Sequence, residues 1–248
     1  MKVLVCISHV PDTTSKINFT NDNSEFDKNG VQFVINPYDE FGLTRAMWIK
    51  EKNGGTVTVV NVGGAETEPT LRKALAIGAD DAIRIDAHAK DGFFVASQIA
   101  ELAKENQYDI IIAGRESIDY NGGQVPGMIA ALLNQPFVNA CIGLELDGTN
   151  AQLIREIDGG KEKLSAQLPI VVAGQKGLVE EKDLRIPNMR GIMSARTKPL
   201  QVRPASEANQ RTMVGSFEKP APKSAVKMID ADNIQELVSL LHNEAKVI

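Results

Sequence analysis

Apolar and polar positions alternate in blocks along most of this chain. Val3, Leu4, Val5, Cys6 and Ile7 are consecutive and apolar, which predicts a buried strand over residues 2–7. Residues 11–29 are polar and turn-rich, and residues 31–35 form a short apolar run that predicts a small strand. Asn36-Pro37 then opens a helix, since Asn caps well and Pro suits the first helical position. Asp39 and Glu40 favour its positive end, and Phe41, Leu43, Met47 and Trp48 supply an apolar face. Gly54-Gly55 ends it. The same alternation continues with a strand over 56–62, a helix over 66–77, a strand over 82–85 and a helix over 93–103.

A further strand, Ile110-Ile111-Ile112-Ala113, stops at Gly114. A polar loop runs from 115 to 123, and a helix begins near Gln124 and continues to Leu133. Beyond Val138 the pattern changes: residues 144–146, 151–157 and 163–167 read as strands joined by Asp147-Gly148 and Asp158-Gly159-Gly160, which is antiparallel character. Residues 168–173 form another buried strand. The sum is an α/β fold, a mostly parallel sheet flanked by helices, with an antiparallel hairpin region. Residues 202–226, with Pro204, Pro220 and Pro222, read as an extended arm, followed by a helix capped by Asp232 and carrying Ile234, Leu237, Val238 and Leu241 on one face. These features divide the chain into residues 1–200, an α/β domain, and residues 201–248, an arm and helix.

Ligands in open α/β sheets sit beyond the carboxyl ends of the strands, and a helix start there offers unpaired N–H groups to an anion. The ends near Cys6, Val62 and Gly114, with Asn36, therefore converge on one candidate pocket. The residues alone leave two readings of 119–125 open, a nucleotide site or an ordinary strand-to-helix turn. For Asn36 they likewise leave open a plain N-cap or a ligand contact. His9 lacks partners at ligand spacing, and Cys6 reads as core rather than nucleophile.

Composition narrows the classes. The 248 residues include 43% hydrophobic and 24% charged, enough for a large core without staples. A net charge of −5 argues against nucleic-acid binding. Two cysteines fit a reducing compartment, and no apolar stretch approaches the roughly 18 residues of a membrane span. The expected location is cytoplasmic, with no direct membrane insertion. An ATP-cleaving enzyme of similar fold would show a Ser-Gly-Gly-x-Asp-Ser loop where this chain has Ser8-His9-Val10-Pro11-Asp12. A stress-type ATP-binding module would show a spaced glycine pattern that Gly122-Gly123-Gln124 does not supply.

The segments VLVCISHVPD, FVINPYDEFGLTRAMWIKEK, TLRKALAIGADDAIRI, IIAGRESIDYNGGQVPGMIA and RIPNMRGIMSARTKPLQV, in that order, resemble the small (beta) subunit of electron transfer flavoproteins. The resemblance covers the chain from Met1 to about Lys198. It implies an adenine-nucleotide-hydrolase-like fold and a heterodimer with an alpha subunit that holds most of the FAD. It implies AMP in this subunit, or a second FAD in bifurcating relatives. It also implies an electron carrier rather than an enzyme, taking electrons from acyl-CoA dehydrogenases in fatty acid oxidation to a quinone oxidoreductase.

Carried over by residue, the resemblance places the nucleotide at Cys6, at Asn36, Pro37, Tyr38 and Asp39, at Val62, and along the loop from Gly114. Within that loop the contacts are Asp119, Asn121, Gly122, Gly123, Gln124 and Val125. Asp119 and Gln124 follow the family pattern, whereas the second acid, the residue before Gln124 and the glycine after Val125 are changed. Pro126 in that last place removes one N–H donor. The resemblance makes residues 183–199 a recognition loop, with Met189 as the apolar anchor beside Arg190, Ile192 and Met193. It has the C-terminal helix wrap around the alpha subunit.

Overall fold

The computed structural model describes residues 1–223 and 225–248. Strand β1 (Lys2–Cys6) lies in the middle of the main sheet. After it come two small antiparallel ribbons, β2 (His9–Pro11) with β5 (Phe33–Ile35), and β3 (Phe19–Thr20) with β4 (Glu25–Phe26). Helix α1 (Pro37–Asn53), β6 (Thr56–Val62), α2 (Glu68–Ile77), β7 (Asp81–Asp86), α3 (Gly92–Asn106), β8 (Ile110–Gly114) and α4 (Val125–Leu133) follow. Then come β9 (Phe137–Asp147), β10 (Asn150–Ile157), β11 (Gly160–Gln167), β12 (Ile170–Gly174), α5 (Met189–Ala195), β13 (Leu200–Pro204) and α6 (Ile234–Ser239).

Nine strands form one sheet in the order β11-β10-β9-β12-β8-β1-β6-β7-β13. Neighbours from β9 across to β13 are parallel, and β10 and β11 add an antiparallel hairpin at one edge. The expected mostly parallel α/β sheet is therefore the architecture observed. Period-two alternation explains why the central strands are apolar throughout. Val3 and Val5 face a core with Leu43, Met47, Leu71 and Leu75 of α1 and α2. Leu4 and Cys6 face a second core with Phe94, Ile99 and Ile129 of α3 and α4. The chain changes sides between β7 and β8, so strand order reverses at the β1/β8 boundary, the point beyond whose strand ends open α/β sheets place a ligand crevice.

Several local expectations change. Met189 to Ala195, read as loop, is a short helix, because the Asn188 side chain caps it by accepting from Gly191 N at 2.8 Å. Val202 to Pro204, read as arm, belongs to edge strand β13, paired with β7 from Leu200↔Ala82 to Pro204↔Asp86. The last helix is capped by Asn233, not Asp232: it starts at Ile234, so Asn233 Oδ1 meets Glu236 N at 3.3 Å. That helix does not return to the chain's own core, since Ile234, Leu237 and Val238 are exposed.

Helix α1 approaches β8 closely because position 42 has no side chain. A Cβ on Gly42 would stand 2.9 Å from Ile112 Cγ2. Gly42→Val should therefore destabilise the chain by about 1–3 kcal/mol through overpacking. Ile112→Ala in the same chain should recover part of that loss, read as the midpoint of urea unfolding.

Candidate nucleotide site

Asp39 lies in the first turn of α1 at the crevice, 2% exposed. Its carboxylate accepts from two backbones at once, Ser8 N at 2.7 Å just past β1 and Gly114 N at 2.8 Å at the end of β8. Burial pushes its pKa up from 3.8 to about 7, against the lowering effect of those N–H donors and of the Ser8 and Asn36 side chains. A Cβ on Gly114 would press on the Asp39 carboxylate and come within 2.7 Å of Tyr38 Cβ, so the strand end requires glycine.

Asn36, fully buried, was open to two readings as N-cap or ligand contact; its amide does not cap α1. Its Nδ2 donates to Glu116 O at 2.9 Å and its Oδ1 accepts from Ile118 N at 3.2 Å, while its backbone N–H donates to Ser8 O at 3.0 Å. The side chain thus ties the loop after β8 to the start of α1, some eighty residues away in sequence. Arg115 adds a link to β12 through its N–H to Gly174 O at 2.8 Å and its Nη1 to Gln175 Oε1 at 3.1 Å.

Loop residues Asp119, Tyr120, Asn121, Gly122, Gly123 and Gln124 are all exposed. Asn121 (φ 49°) and Gly123 (φ 60°) are left-handed, which suits Asn and Gly. Asp119 Oδ1 accepts from Tyr120 N at 2.9 Å, and Asn121 N donates to Ser117 O at 2.8 Å. Among the described residues the N–H groups of Gly122, Gly123 and Gln124 meet no hydrogen-bond acceptor. They lead into α4, whose start has no side-chain cap. A run of free N–H groups at a helix start can hold a phosphate.

Of the residues singled out in the sequence, Cys6, Val62 and Val125 meet in the apolar cluster beneath the crevice, together with Ala113. Burial drives the Cys6 thiol far above its ordinary pKa, with the Asp39 charge adding to the effect, so it is a packing group. Asn36, Asp39 and Gly114 meet at the crevice itself. The Pro37 and Tyr38 side chains instead line a shallow groove with Ile118, Lys176 and Leu184. His9 stacks on Phe33 with ring centroids 4.4 Å apart and shares a 2.8 Å hydrogen bond with Thr70 Oγ1. Burial lowers its pKa, with Glu66 and Asp119 opposing.

Ser8, Glu116 and Ile118 were not singled out, because they contribute only backbone groups, which no side-chain motif announces. Gln98 and Asp91 were also missed. Gln98 pairs with Ser206 in both directions, at 2.8 and 2.7 Å. Asp91 caps α3 through Phe94 N and also accepts from Arg211 N and Thr212 N. Together these hold the beginning of the C-terminal arm against α3.

Asp39 carries a pH signature. Its carboxyl holds its proton more tightly in the folded chain than in the unfolded one, so the neutral form contributes stability that is full below about pH 4 and lost as pH rises through about 7. Urea midpoints should fall across that window with a contribution of at most about 1.4 kcal/mol per pH unit. Asp39→Asn should remove that contribution.

A family model described as "Electron transfer flavoprotein domain" matches residues 24–208. The electron transfer flavoprotein subunit beta of Bacillus subtilis (strain 168) is 36% identical over 262 residues, covering 100% of both chains. The subunit beta of Syntrophomonas wolfei is 34% identical over 252 residues, covering 100% of this chain and 98% of the relative. That of Mus musculus is 30% identical over 257 residues, covering 100% and 99%. With matches of this length on an α/β fold, the chain belongs to the electron transfer flavoprotein family, as a beta subunit.

Proposed function

We propose that this chain is the nucleotide-holding and partner-docking half of a heterodimeric electron carrier. The observation that carries the reading is the run of free N–H groups at 122–124 leading into α4, beside the reversal of strand order at the β1/β8 boundary. AMP fits this arrangement. Its phosphate goes to the start of α4, and its base lies over the apolar floor that includes Cys6, Val62 and Val125. Asn36 and Asp39 support the pocket by fixing its walls, since their polar atoms are engaged with the chain. The nucleotide is structural. FAD is held mainly by the alpha subunit, receives electrons from acyl-CoA and other dehydrogenases, and passes them to electron transfer flavoprotein-quinone oxidoreductase. The chain itself makes no covalent change in a substrate.

Residues 183–199 supply the docking loop. Met189 is 75% exposed and Met193 68%, on the same side of α5 as Ile192. Exposed apolar groups on a short rigid helix suit a transient apolar contact, and Met adapts to several partner surfaces. Residues 201–248 divide in use: β13 completes the sheet, and the remainder reaches the alpha subunit, which covers Ile234, Leu237 and Val238. No helix among the described residues is long and apolar enough to cross a membrane.

Mass spectrometry of the nucleotides released from denatured heterodimer should find one AMP and one FAD. Two flavins and no AMP would assign the bifurcating type instead. Formation of AMP or pyrophosphate from added ATP would favour an ATP-cleaving enzyme. Met189→Ala should leave flavin content unchanged and lower the kcat/KM for electron transfer from the dehydrogenase by about ten- to a hundredfold, from the burial of one such side chain. Unchanged transfer would remove the anchor role.

A further inference from the structure

Helix α5 is held to α2 by two cations that cross between them. Arg72 of α2 sends Nη1 to Ala195 O at 2.7 Å, at the end of α5, and to Lys198 O at 2.8 Å, in the turn beyond it. Lys198, just beyond α5, sends Nζ back to Leu75 O at 2.9 Å and Ala79 O at 2.6 Å, at the end of α2. Each helix thus has its exposed carbonyl end satisfied by a cation from the other, where the helix dipole also favours positive charge. The contact is close. Gly191 lies against Ala76 O so tightly that a Cβ would meet that oxygen, and Ala195 is 3% exposed in the core. Gly191 and Ala195 are four residues apart and share the inward face of α5. Met189, Ile192 and Met193 take the outward one.

We propose that Arg72 and Lys198 are positioning residues for docking. Their crossed caps fix the roll of α5, so that Met189, Ile192 and Met193 face the partner before contact. A seven-residue helix has little stability of its own, and its orientation must come from tertiary contacts. An apolar anchor that is already ordered binds more tightly than one that must be ordered on contact. This inference rests on the docking role of α5 given above.

The test uses the flavin-loaded heterodimer and its donor dehydrogenase. Arg72→Met should raise the KM for the heterodimer about tenfold with kcat within about twofold, a pattern of lost binding rather than slowed transfer. Flavin content should be unchanged, and amide hydrogen exchange at residues 192–195 should accelerate. Arg72→Lys, which keeps a cation at this position but loses the guanidinium fork, should restore part of the KM. Lys198→Met, acting from the other side of the clamp, should reproduce the effect if Arg72→Met does not fold. In the Met189→Ala background, Arg72→Met should add little, because both act through one contact. An unchanged KM in both clamp variants, with Met189→Ala still impaired, would overturn the positioning role alone. An unimpaired Met189→Ala would instead overturn the docking reading beneath it.

Discussion

One buried carboxylate shared between two strand ends sets the geometry of this molecule. Parallel strands finish in backbone groups that the next connection must satisfy, and at the β1/β8 boundary the two connections leave in opposite directions. The Asp39 oxygens take the Ser8 and Gly114 N–H groups, and Asn36 takes up the loop that leaves β8. A buried N–H left unpaired there would cost about 1–3 kcal/mol, so the tie is both structural cement and the wall of a crevice. The start of α4, with its free N–H groups, is the end proposed to accept an anion.

The two proposed roles sit at opposite ends of the sheet. The groups proposed to face the nucleotide follow the carboxyl ends of β1, β6 and β8. Helix α5 packs against the end of α2, which lies by the beginning of β7 because α2 runs back along the sheet. Seven residues of β6 separate the two levels by about 20 Å. The proposed nucleotide site and the proposed docking helix therefore lie apart, and damage to one is expected to leave the other intact. The start of the C-terminal arm is pinned to α3 by Gln98 and Asp91, and the Phe217 ring stacks on Phe19 at 4.8 Å. The start of the arm is thus held to its own domain, while the apolar side chains of its helix are exposed.

The parallel core was legible because strands buried on both faces must be apolar at every position, as residues 3–7 and 110–113 are. Strand β5 shows as the apolar run at 31–35, but its partner β2 does not, since that ribbon depends on cross-strand contacts such as the stacked His9 and Phe33. Strand β9 extends back to Phe137, well before the reading at 144–146. It bends at Ala140 (φ 49°), so one half pairs with β12 and the other with β10. Strand β13 looked like linker because Pro204 and polar side chains are tolerated at a sheet edge. The proposed site rests on strand ends and glycines that the sequence displays. The work of Asn36 and Asp39 was not, because an Asn before a helix and an Asp in its first turn have ordinary local uses. Only the fold brings Glu116, Ile118 and Gly114 within their reach.

The most direct test of this account is a crystal structure of the purified heterodimer, inspected in the crevice beyond β1 and β8. The account predicts nucleotide density with a phosphate within hydrogen-bonding distance of the N–H groups between 122 and 125, and Asp39 still bridging Ser8 and Gly114. A crevice filled by the chain's own side chains, or a phosphate seated at the start of α1 with Asp39 displaced, would contradict it.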